Sequence, residues 1–192
     1  MMTKKTALIV VDLQNQYTDP NGRLYYPMTG ETLPHILEGI RLLRAQGVYI
    51  VYAMAEAAGT EFSYDTEVLK RRDPIPVKGS WEAQADARLE IRENDRLMTR
   101  YASSAFFGTD LAQHLRERGI LNVITCGVKT NYDVRATATD AMWYHFRAFV
   151  ASDMVACDTK ERNDQHLKEL TKYTAKALPL EEILARIEAG SL

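Results

Sequence analysis

The feature that most constrains the fold is an uninterrupted apolar run that ends at an acid. Residues Thr6–Val11 are apolar or β-branched, and Asp12 follows them directly. A half-exposed strand alternates apolar with polar residues, whereas a strand covered on both faces is apolar throughout, as the strands of parallel sheets are. The run therefore predicts a central strand of a parallel sheet, with a carboxylate at its carboxyl end.

Segments typical of strands and helices alternate along most of the chain. The predicted strands are Thr6–Asp12, Val48–Met54, Asp95–Thr99, Leu121–Gly127 and Arg147–Ser152. The predicted helices are Thr32–Gln46, Trp81–Leu89, Thr109–Arg118, Asn131–Tyr144, Glu161–Tyr173 and Leu180–Ala189. Parallel strands joined by helices need crossover connections, which place helices on the faces of the sheet. We therefore expect an α/β fold, a three-layer α/β/α sandwich with a mostly parallel, Rossmann-like central sheet.

The length and composition favour one ordinary globular domain over residues 1–192. The sequence has 192 residues, of which 46% are apolar and 26% charged, the balance of a folded domain. Its net charge is −2, and basic and acidic residues are interleaved, which argues against a nucleic-acid-binding face. The N-terminal apolar run is too short for a signal peptide or a membrane span, so we expect a cytoplasmic protein without a membrane partner.

The pattern of histidines and cysteines indicates no metal or cofactor. The four histidines are scattered over predicted helices or near their ends. Cys126 and Cys157 have neither the spacing of metal ligands nor a secretory context, so both are predicted to be free, buried thiols. We expect a metal-free protein whose partner is a small molecule.

The predicted topology also places the functional site. Ligands of open parallel sheets bind at the carboxyl ends of the strands. Three segments follow predicted strands there: Asp12 and its loop, Thr99–Tyr101, and Val128–Asp133. The segment Ala55–Ser80 has no sustained period and is predicted to be a long loop of the kind that covers a site.

Three stretches of the sequence resemble the isochorismatase-like, or cysteine hydrolase, superfamily. They are Ala7–Asn15, Ser104–Leu111 and Gly127–Ala141, in the family's order and at its usual separations. The resemblance implies hydrolysis of small amides, ureas or related carbon–nitrogen compounds by an Asp, Lys and Cys triad. In that chemistry a thiolate attacks the carbonyl, the aspartate handles its proton, and the lysine keeps the aspartate ionised.

Two positions of the resembled triad carry other residues. Asp12 matches the family aspartate, whereas the lysine position is Arg100, or Thr99 if the Ser103–Ser104 pair contains an insertion. The cysteine position is Asp133. The resemblance also implies a cis peptide between Val128 and Lys129, beside an oxyanion-binding turn formed by Val128, Lys129 and Asp133.

These residues leave several mechanisms open. In the preferred one, Asp12 and Asp133 activate a water molecule while Arg100 is their electrostatic partner. Isochorismatases within the resembled family cleave a vinyl ether without the cysteine, and in that alternative Asp12 is the general acid. In a third interpretation the site is vestigial, and the protein binds or scaffolds. In a fourth, Asp133 mimics an engineered or oxidised cysteine.

The expected substrate contacts come from the same segments. Lys78–Trp81 and Arg135–Thr137 resemble the carbamoylsarcosine, ureidoacrylate and biuret amidohydrolases, which favours a small polar carbonyl compound. The candidate substrate-binding residues are Gln14, Tyr17, Trp81, Tyr101, Phe106, Lys129, Asn131 and Tyr132.

Apolar helix faces at Leu111, Leu115 and Met142–Phe146 predict a homo-oligomer, a dimer or a tetramer.

Overall fold

Six parallel strands form the central sheet. The computed structural model describes residues 5–56 and 75–192. The strands are β1 (Thr6–Val11), β2 (Tyr49–Ala55), β3 (Arg96–Arg100), β4 (Asn122–Val128), β5 (Arg147–Ala156) and β6 (Lys176–Leu178). They lie in the order β3-β2-β1-β4-β5-β6, and every neighbouring pair is parallel. The predicted α/β fold is confirmed.

Helices cover both faces of this sheet. They are α1 (Asn15–Thr18), α2 (Pro27–Ala45), α3 (Leu111–Glu117), α4 (Arg135–Trp143), α5 (Lys160–Tyr173) and α6 (Leu180–Glu188). A π-helical turn, Thr130–Val134, precedes α4. None of the described helices is both long and apolar enough to cross a membrane.

The sheet separates two hydrophobic cores. Alternate residues of β1 belong to different cores, and all six of its residues are buried. On one side, apolar residues of α3, α4 and α5 pack on the sheet, and α2 and α6 pack on the other. Because both faces of β1 are covered, the uninterrupted apolar run is explained.

Several predicted boundaries are wrong for identifiable reasons. Residues Trp81–Leu89 form turns and an isolated bridge between Gln14 and Ala85 instead of a helix. Their main chain bonds to the segment after β1, for example Asp86 N–H to the Leu13 carbonyl at 2.9 Å, so long-range pairing overrides local helical preference. The predicted loop at 55–80 starts at Ala55, which is the last residue of β2. Residues 57–74 of that loop lie outside the described ranges.

Other elements are longer than predicted or were missed. Helix α2 begins at Pro27, where proline occupies the first turn, a position that needs no main-chain N–H. Strand β5 continues to Ala156 because, after a register shift, Val155 and Ala156 pair with the end of β4. The short elements α1 and β6 carry no periodic pattern in the sequence.

The predicted buried thiols are confirmed. Two residues that were predicted to contact another subunit lie instead in the chain's own core. Cys126 and Cys157 are free and buried. Leu111 and Leu115, which were assigned to a contact between subunits, are fully buried in the chain's own core. They face the sheet, since the apolar stripe of α3 packs beside β1.

At Gly127 the main chain of β4 lies close to the main chain of β1. Gly127 pairs with Val11, and its φ is +106°. A Cβ at this position would lie 2.1 Å from the Val11 carbonyl oxygen. Only glycine fits there, and the approach brings the end of β4 against the end of β1.

Replacing Gly127 by alanine is therefore expected to lower the free energy of unfolding by about 3 kcal/mol or more, since main-chain atoms must separate. Gly119→Ala is the matched control, because Gly119 also has a positive φ, +68°, yet nothing lies within 4 Å of its added Cβ. That change should cost about 1–2 kcal/mol of backbone strain alone. Urea unfolding measures both, and equal losses would contradict the close approach.

Candidate active site

The carboxyl end of β1 is the switch point of the sheet. The chain runs outward from β1 through β2 to β3 on one side, and β4, β5 and β6 follow on the other. Asp12 stands immediately after β1 with a φ of +53°, a left-handed conformation that aspartate tolerates better than most residues. Its side chain is completely buried, so the carboxylate needs partners inside the protein.

Arg100, the last residue of β3, provides those partners. Its Nε donates to Asp12 Oδ1 at 2.9 Å, and its Nη2 donates to Asp12 Oδ2. The main-chain N–H of Ala55 also donates to Asp12 Oδ1, at 3.0 Å. Two parallel donors match a carboxylate better than a lysine ammonium does. Arg100 therefore pairs with the Asp12 carboxylate through two donors.

Asp133 contacts the same guanidinium, through the Nη2 atom that also bonds to Asp12. It lies in the π-helical turn after β4, and its Oδ1 is 2.9 Å from Arg100 Nη2. The main-chain N–H of Lys129 also contacts the Asp133 carboxylate. The turn is held to α5, because the hydroxyl of buried Thr130 donates a hydrogen bond to Asn163 Oδ1 at 2.5 Å. Residues 12, 100 and 133 therefore lie together, as the sequence predicted.

Two carboxylates on one guanidinium leave a charge imbalance. Burial, together with the nearby negative charge of Asp133, raises the pKa of Asp12 to about 7 against the opposing effect of Arg100. Burial likewise raises the pKa of Asp133. Burial opposes the charge of Arg100, but Asp12 and Asp133 outweigh it and raise its pKa. Both shifts favour retention of a proton by the buried pair, while the arginine stays charged.

A cavity of about 220 Å³ adjoins this cluster. Its lining residues are Tyr17, Ala55, Ile75, Arg100, Tyr101, Ala102, Lys129, Asn131, Tyr132 and Asp133. Asp12 is absent from that lining and lies behind Arg100. The two carboxylates are thus unequal, because Asp133 faces the cavity and Asp12 faces the guanidinium.

Lys129 brings a second cation to the cavity wall. Its side chain is largely buried, with 8% of the residue exposed. Its Nζ lies 3.3 Å from the Tyr26 hydroxyl and 5.1 Å from the centre of that ring. The peptide between Val128 and Lys129 is cis, as the resemblance implied.

Three of the predicted substrate contacts lie elsewhere. Gln14 is buried and holds the end of β2 through the Ala55 main chain, at 2.8 and 2.9 Å. Trp81 is half exposed, and its carbonyl accepts from Asn15. Phe106 is buried in the core and stacks on Tyr144. The remaining predicted contacts, Tyr17, Tyr101, Lys129, Asn131 and Tyr132, all line the cavity.

Sequence reasoning missed the small apolar part of the wall. Ala55, Ile75 and Ala102 line the cavity, but alanine and isoleucine carry no chemical pattern that marks a site. Ala55 could have been found from its place at the end of a predicted strand. Ile75 lies in the segment 55–80 that was predicted to cover a site, although its own residue type did not mark it, and Ala102 directly follows the candidate segment Thr99–Tyr101.

Comparison with known proteins assigns this chain to a family. The isochorismatase domain matches residues 6–182, which includes all three residues of the charged cluster. The chain belongs to the isochorismatase family. The expected superfamily membership is thereby confirmed.

Individual relatives match along nearly their whole length. An uncharacterised isochorismatase family protein, YwoC from Bacillus subtilis (strain 168), is 26% identical over 191 residues, which cover 96% of this chain and 95% of YwoC. Pyrazinamidase of Pyrococcus horikoshii, solved in complex with zinc, is 30% identical with a TM-score of 0.78, covering 91% and 99% of the two chains. A cysteine hydrolase from Pseudomonas syringae pv. phaseolicola 1448A shares the fold at 23% identity, with a TM-score of 0.88 over 98% and 95%.

The zinc of that pyrazinamidase raises the question of a metal here. Within residues 5–56 and 75–192, no three His, Cys, Asp or Glu side chains are grouped so as to hold a metal ion. The two acids of the cluster are instead engaged by Arg100. The described residues therefore do not fit a zinc site.

Removing the guanidinium is expected to destabilise the protein strongly. Arg100→Met leaves two buried carboxylates without a cation, which should cost about 3–5 kcal/mol at pH 8. Because the folded-state pKa of these acids then lies above the unfolded value of 3.8, the folded state binds more protons and the loss should shrink at pH 5.

Urea unfolding at the two pH values measures this effect. Arg92→Met is the matched control, since the Arg92 side chain is 56% exposed and its ion-pair partner among the described residues is surface Glu90; it should show no change at either pH. A loss for Arg100→Met that is the same at pH 5 and pH 8 would contradict the assignment of buried, paired carboxylates.

Proposed function

We propose that this isochorismatase-family protein hydrolyses a small amide, urea or related carbon–nitrogen compound, using a water molecule activated by Asp133. The observation that carries the proposal is the position of Asp133, whose carboxylate lines the cavity while it contacts Arg100. A carboxylate with a raised pKa at a cavity wall is suited to general base and general acid catalysis near neutral pH.

The steps of the proposed reaction balance without a protein nucleophile. Ionised Asp133 takes a proton from water, and the water oxygen bonds to the substrate carbonyl carbon. In this mechanism, main-chain N–H groups at the start of the π-helical turn donate to the carbonyl oxygen as negative charge develops on it. The carbon–nitrogen bond then breaks, and Asp133 returns its proton to the leaving nitrogen. The products are an acid and an amine or ammonia.

In this mechanism Asp12 is a positioning residue. Both of its oxygens are held by Arg100, and it does not line the cavity. It fixes the guanidinium and, through it, Asp133. This geometry argues against the vinyl-ether alternative, which needs Asp12 in contact with the substrate as a general acid.

Two considerations support an amide or urea as the substrate class. A relative with 30% identity is a pyrazinamidase. The cavity of about 220 Å³ matches a small molecule, and its walls combine flat tyrosine rings with Lys129 and Asn131. Such a wall binds a compact polar carbonyl compound between an aromatic face and hydrogen-bonding groups.

A second candidate function is ligand binding without turnover. The observation in its favour is the contact between the Lys129 main-chain N–H and the Asp133 carboxylate. That N–H belongs to the turn that the resemblance assigns to the oxyanion, so here a protein carboxylate already occupies one donor. A binding protein is stabilised by its ligand and releases no product.

Asp133→Asn distinguishes these functions. Asparagine can still accept from Arg100 and from the Lys129 main chain but cannot take a proton, so kcat should fall by about 100-fold or more. Ammonia release from acetamide, benzamide, succinamate and N-carbamoylglycine measures turnover. The control is Asp164→Asn, an acid paired with Lys160 on the exposed face of α5, and it should retain activity.

The pH profile gives an independent check on the same variant. Because Asp133 must be ionised to act as a base and burial raises its pKa, kcat/KM should rise with pH at pH values above the usual range of an aspartate. Turnover that survives in Asp133→Asn, or ligand-dependent thermal stabilisation with no ammonia from any compound, contradicts the hydrolase mechanism.

We also propose that the protein is a dimer or a tetramer. Trp143 and Tyr144 at the end of α4 are 70% and 38% exposed, and exposed aromatic residues are common at subunit contacts. Light scattering at micromolar concentration should give at least twice the mass of the 21.8 kDa chain. A monomer under these conditions contradicts this proposal and leaves the hydrolase proposal intact.

A further inference from the structure

We infer that Asn163 is a positioning residue for Asp133, because its side chain holds the turn to which that carboxylate belongs. The contact runs through Thr130, the first residue of the π-helical turn, whose hydroxyl donates to Asn163 Oδ1 at 2.5 Å. Asn163 itself is not among the described residues that line the cavity. The inference rests on the proposed function only for the catalytic role of Asp133. The placement of that carboxylate can be measured without turnover.

The hydrogen bonds within the turn do not fix where it lies. Among the described residues, no side-chain hydrogen bond caps it at Lys129, the residue before it. The main-chain N–H groups of Tyr132 and Val134 both donate to the Lys129 carbonyl, at 3.1 Å. These bonds define the shape of the turn, so its place against the sheet must come from contacts with other elements.

Helix α5 provides such contacts at both ends of the turn. Asn163, His166 and Glu169 follow one another at intervals of three residues, so they lie on one side of the helix. Asn163 contacts Thr130 at the start of the turn. Arg135, which directly follows the turn, donates to His166 Nδ1 at 2.8 Å and to Glu169 Oε2 at 2.6 Å. The helix therefore spans the turn that carries the carboxylate.

The two contacts differ in strength because only one is buried. Thr130 is fully buried and Asn163 is 3% exposed, whereas the side chains of Arg135 and Glu169 are 40% and 36% exposed. Water competes with an exposed pair, while a buried hydroxyl that loses its acceptor is left unsatisfied. The bond between Thr130 and Asn163 therefore holds the turn more firmly.

A displaced turn would break one contact of Asp133 and keep the other. The contact with the Lys129 main-chain N–H joins neighbouring residues and moves with the turn. The contact between Asp133 Oδ1 and Arg100 Nη2, at 2.9 Å, joins the turn to β3. A shift of about 1 Å abolishes it, since a separation of about 3.6 Å or more no longer makes a hydrogen bond. Asn163 thus determines whether the guanidinium holds Asp133.

Loss of the guanidinium contact has a measurable electrostatic consequence. The positive charge of Arg100 opposes the effect of burial on the pKa of Asp133. When the carboxyl moves away from Arg100, burial remains and the opposing charge weakens, so the pKa of Asp133 rises further. The base is then both displaced and more readily protonated.

Asn163→Leu removes the acceptor and keeps a side chain of similar size. Titration of the Asp133 carboxyl carbon by NMR should show a pKa about one unit above that of the wild type. Ammonia release from the same amides should show kcat lowered by about tenfold or more, since the base has left its productive place. KM should change by less than about threefold, because Asp133 acts in the reaction rather than in uniform binding.

Asn122→Leu is the matched control. Asn122 is 6% exposed and also bonds to a threonine, since its Nδ2 donates to Thr6 Oγ1 at 3.1 Å. The two residues begin β4 and β1, at the opposite end of the sheet from the cavity. The change should lower the free energy of unfolding in urea but leave the Asp133 pKa, kcat and KM unchanged. An Asn163 with a purely structural role would behave in the same way.

Combining Asn163→Leu with Thr130→Val separates stability from positioning. The double variant has no unsatisfied hydroxyl, so it should regain stability relative to Asn163→Leu. The bond that places the turn is still missing, so the Asp133 pKa should stay raised. Thr130→Ser keeps the hydroxyl and should leave that pKa at its wild-type value.

Three results contradict the inference. One is an Asp133 pKa in Asn163→Leu equal to that of the wild type, and another is a shift of the same size in Asn122→Leu. The third is a double variant that regains the wild-type pKa together with its stability. If Asn163→Leu does not fold, Thr130→Val breaks the same bond from the other side, and an unchanged Asp133 pKa there contradicts the inference equally.

The two kinds of measurement distinguish failure of this inference from failure of the proposed function. A raised Asp133 pKa in Asn163→Leu, with no ammonia released by the wild type from any compound, supports the positioning role and contradicts the hydrolase. Turnover by the wild type, with both kcat and the Asp133 pKa unchanged in Asn163→Leu, supports the hydrolase and contradicts the positioning role.

Discussion

The guanidinium of Arg100 between two buried carboxylates is the interaction on which the site depends. It contacts Asp12 from β1 and Asp133 from the turn after β4, while Arg100 itself ends β3. The three strands are not all neighbours, since β2 separates β3 from β1. Arg100 must therefore extend across the end of β2, where Ala55 leaves room and donates its own main-chain N–H to Asp12.

This arrangement explains how the site differs chemically from an Asp, Lys and Cys triad. In that triad the negative charge of the aspartate is balanced by the positive charge of the lysine as long as the cysteine is a neutral thiol. In the correspondence that the resemblance implies, Asp133 at the cysteine position adds an acid, and Arg100 at the lysine position adds donors able to hold two carboxylates at once. The two residues are compatible with each other, because Arg100 holds Asp12 through Nε and Nη2 while the same Nη2 also contacts Asp133.

The sequence was sufficient to predict the parts that follow from local patterns. The apolar run before Asp12 and the alternation of strands and helices led to the parallel sheet. The strand ends led to three candidate segments, and the resemblance to the family selected residues 12, 100 and 133 within them. It could not show that Asp12 lies behind Arg100, since that depends on side-chain direction. Nor could it show that residues 81–89 pair with the segment after β1, because those hydrogen bonds join parts of the chain far apart in sequence.

The account depends most directly on the raised pKa values of the buried pair Asp12 and Asp133. A raised pKa makes one carboxylate basic, while the other holds the arginine. Titration of the side-chain carboxyl carbons by NMR measures it, with Asp133→Asn used to assign the two signals. The account predicts that the pair gains one proton near pH 7, the value to which burial raises the pKa of Asp12. Two carboxylates that both remain ionised down to about pH 4, the range of unperturbed acids, would contradict it.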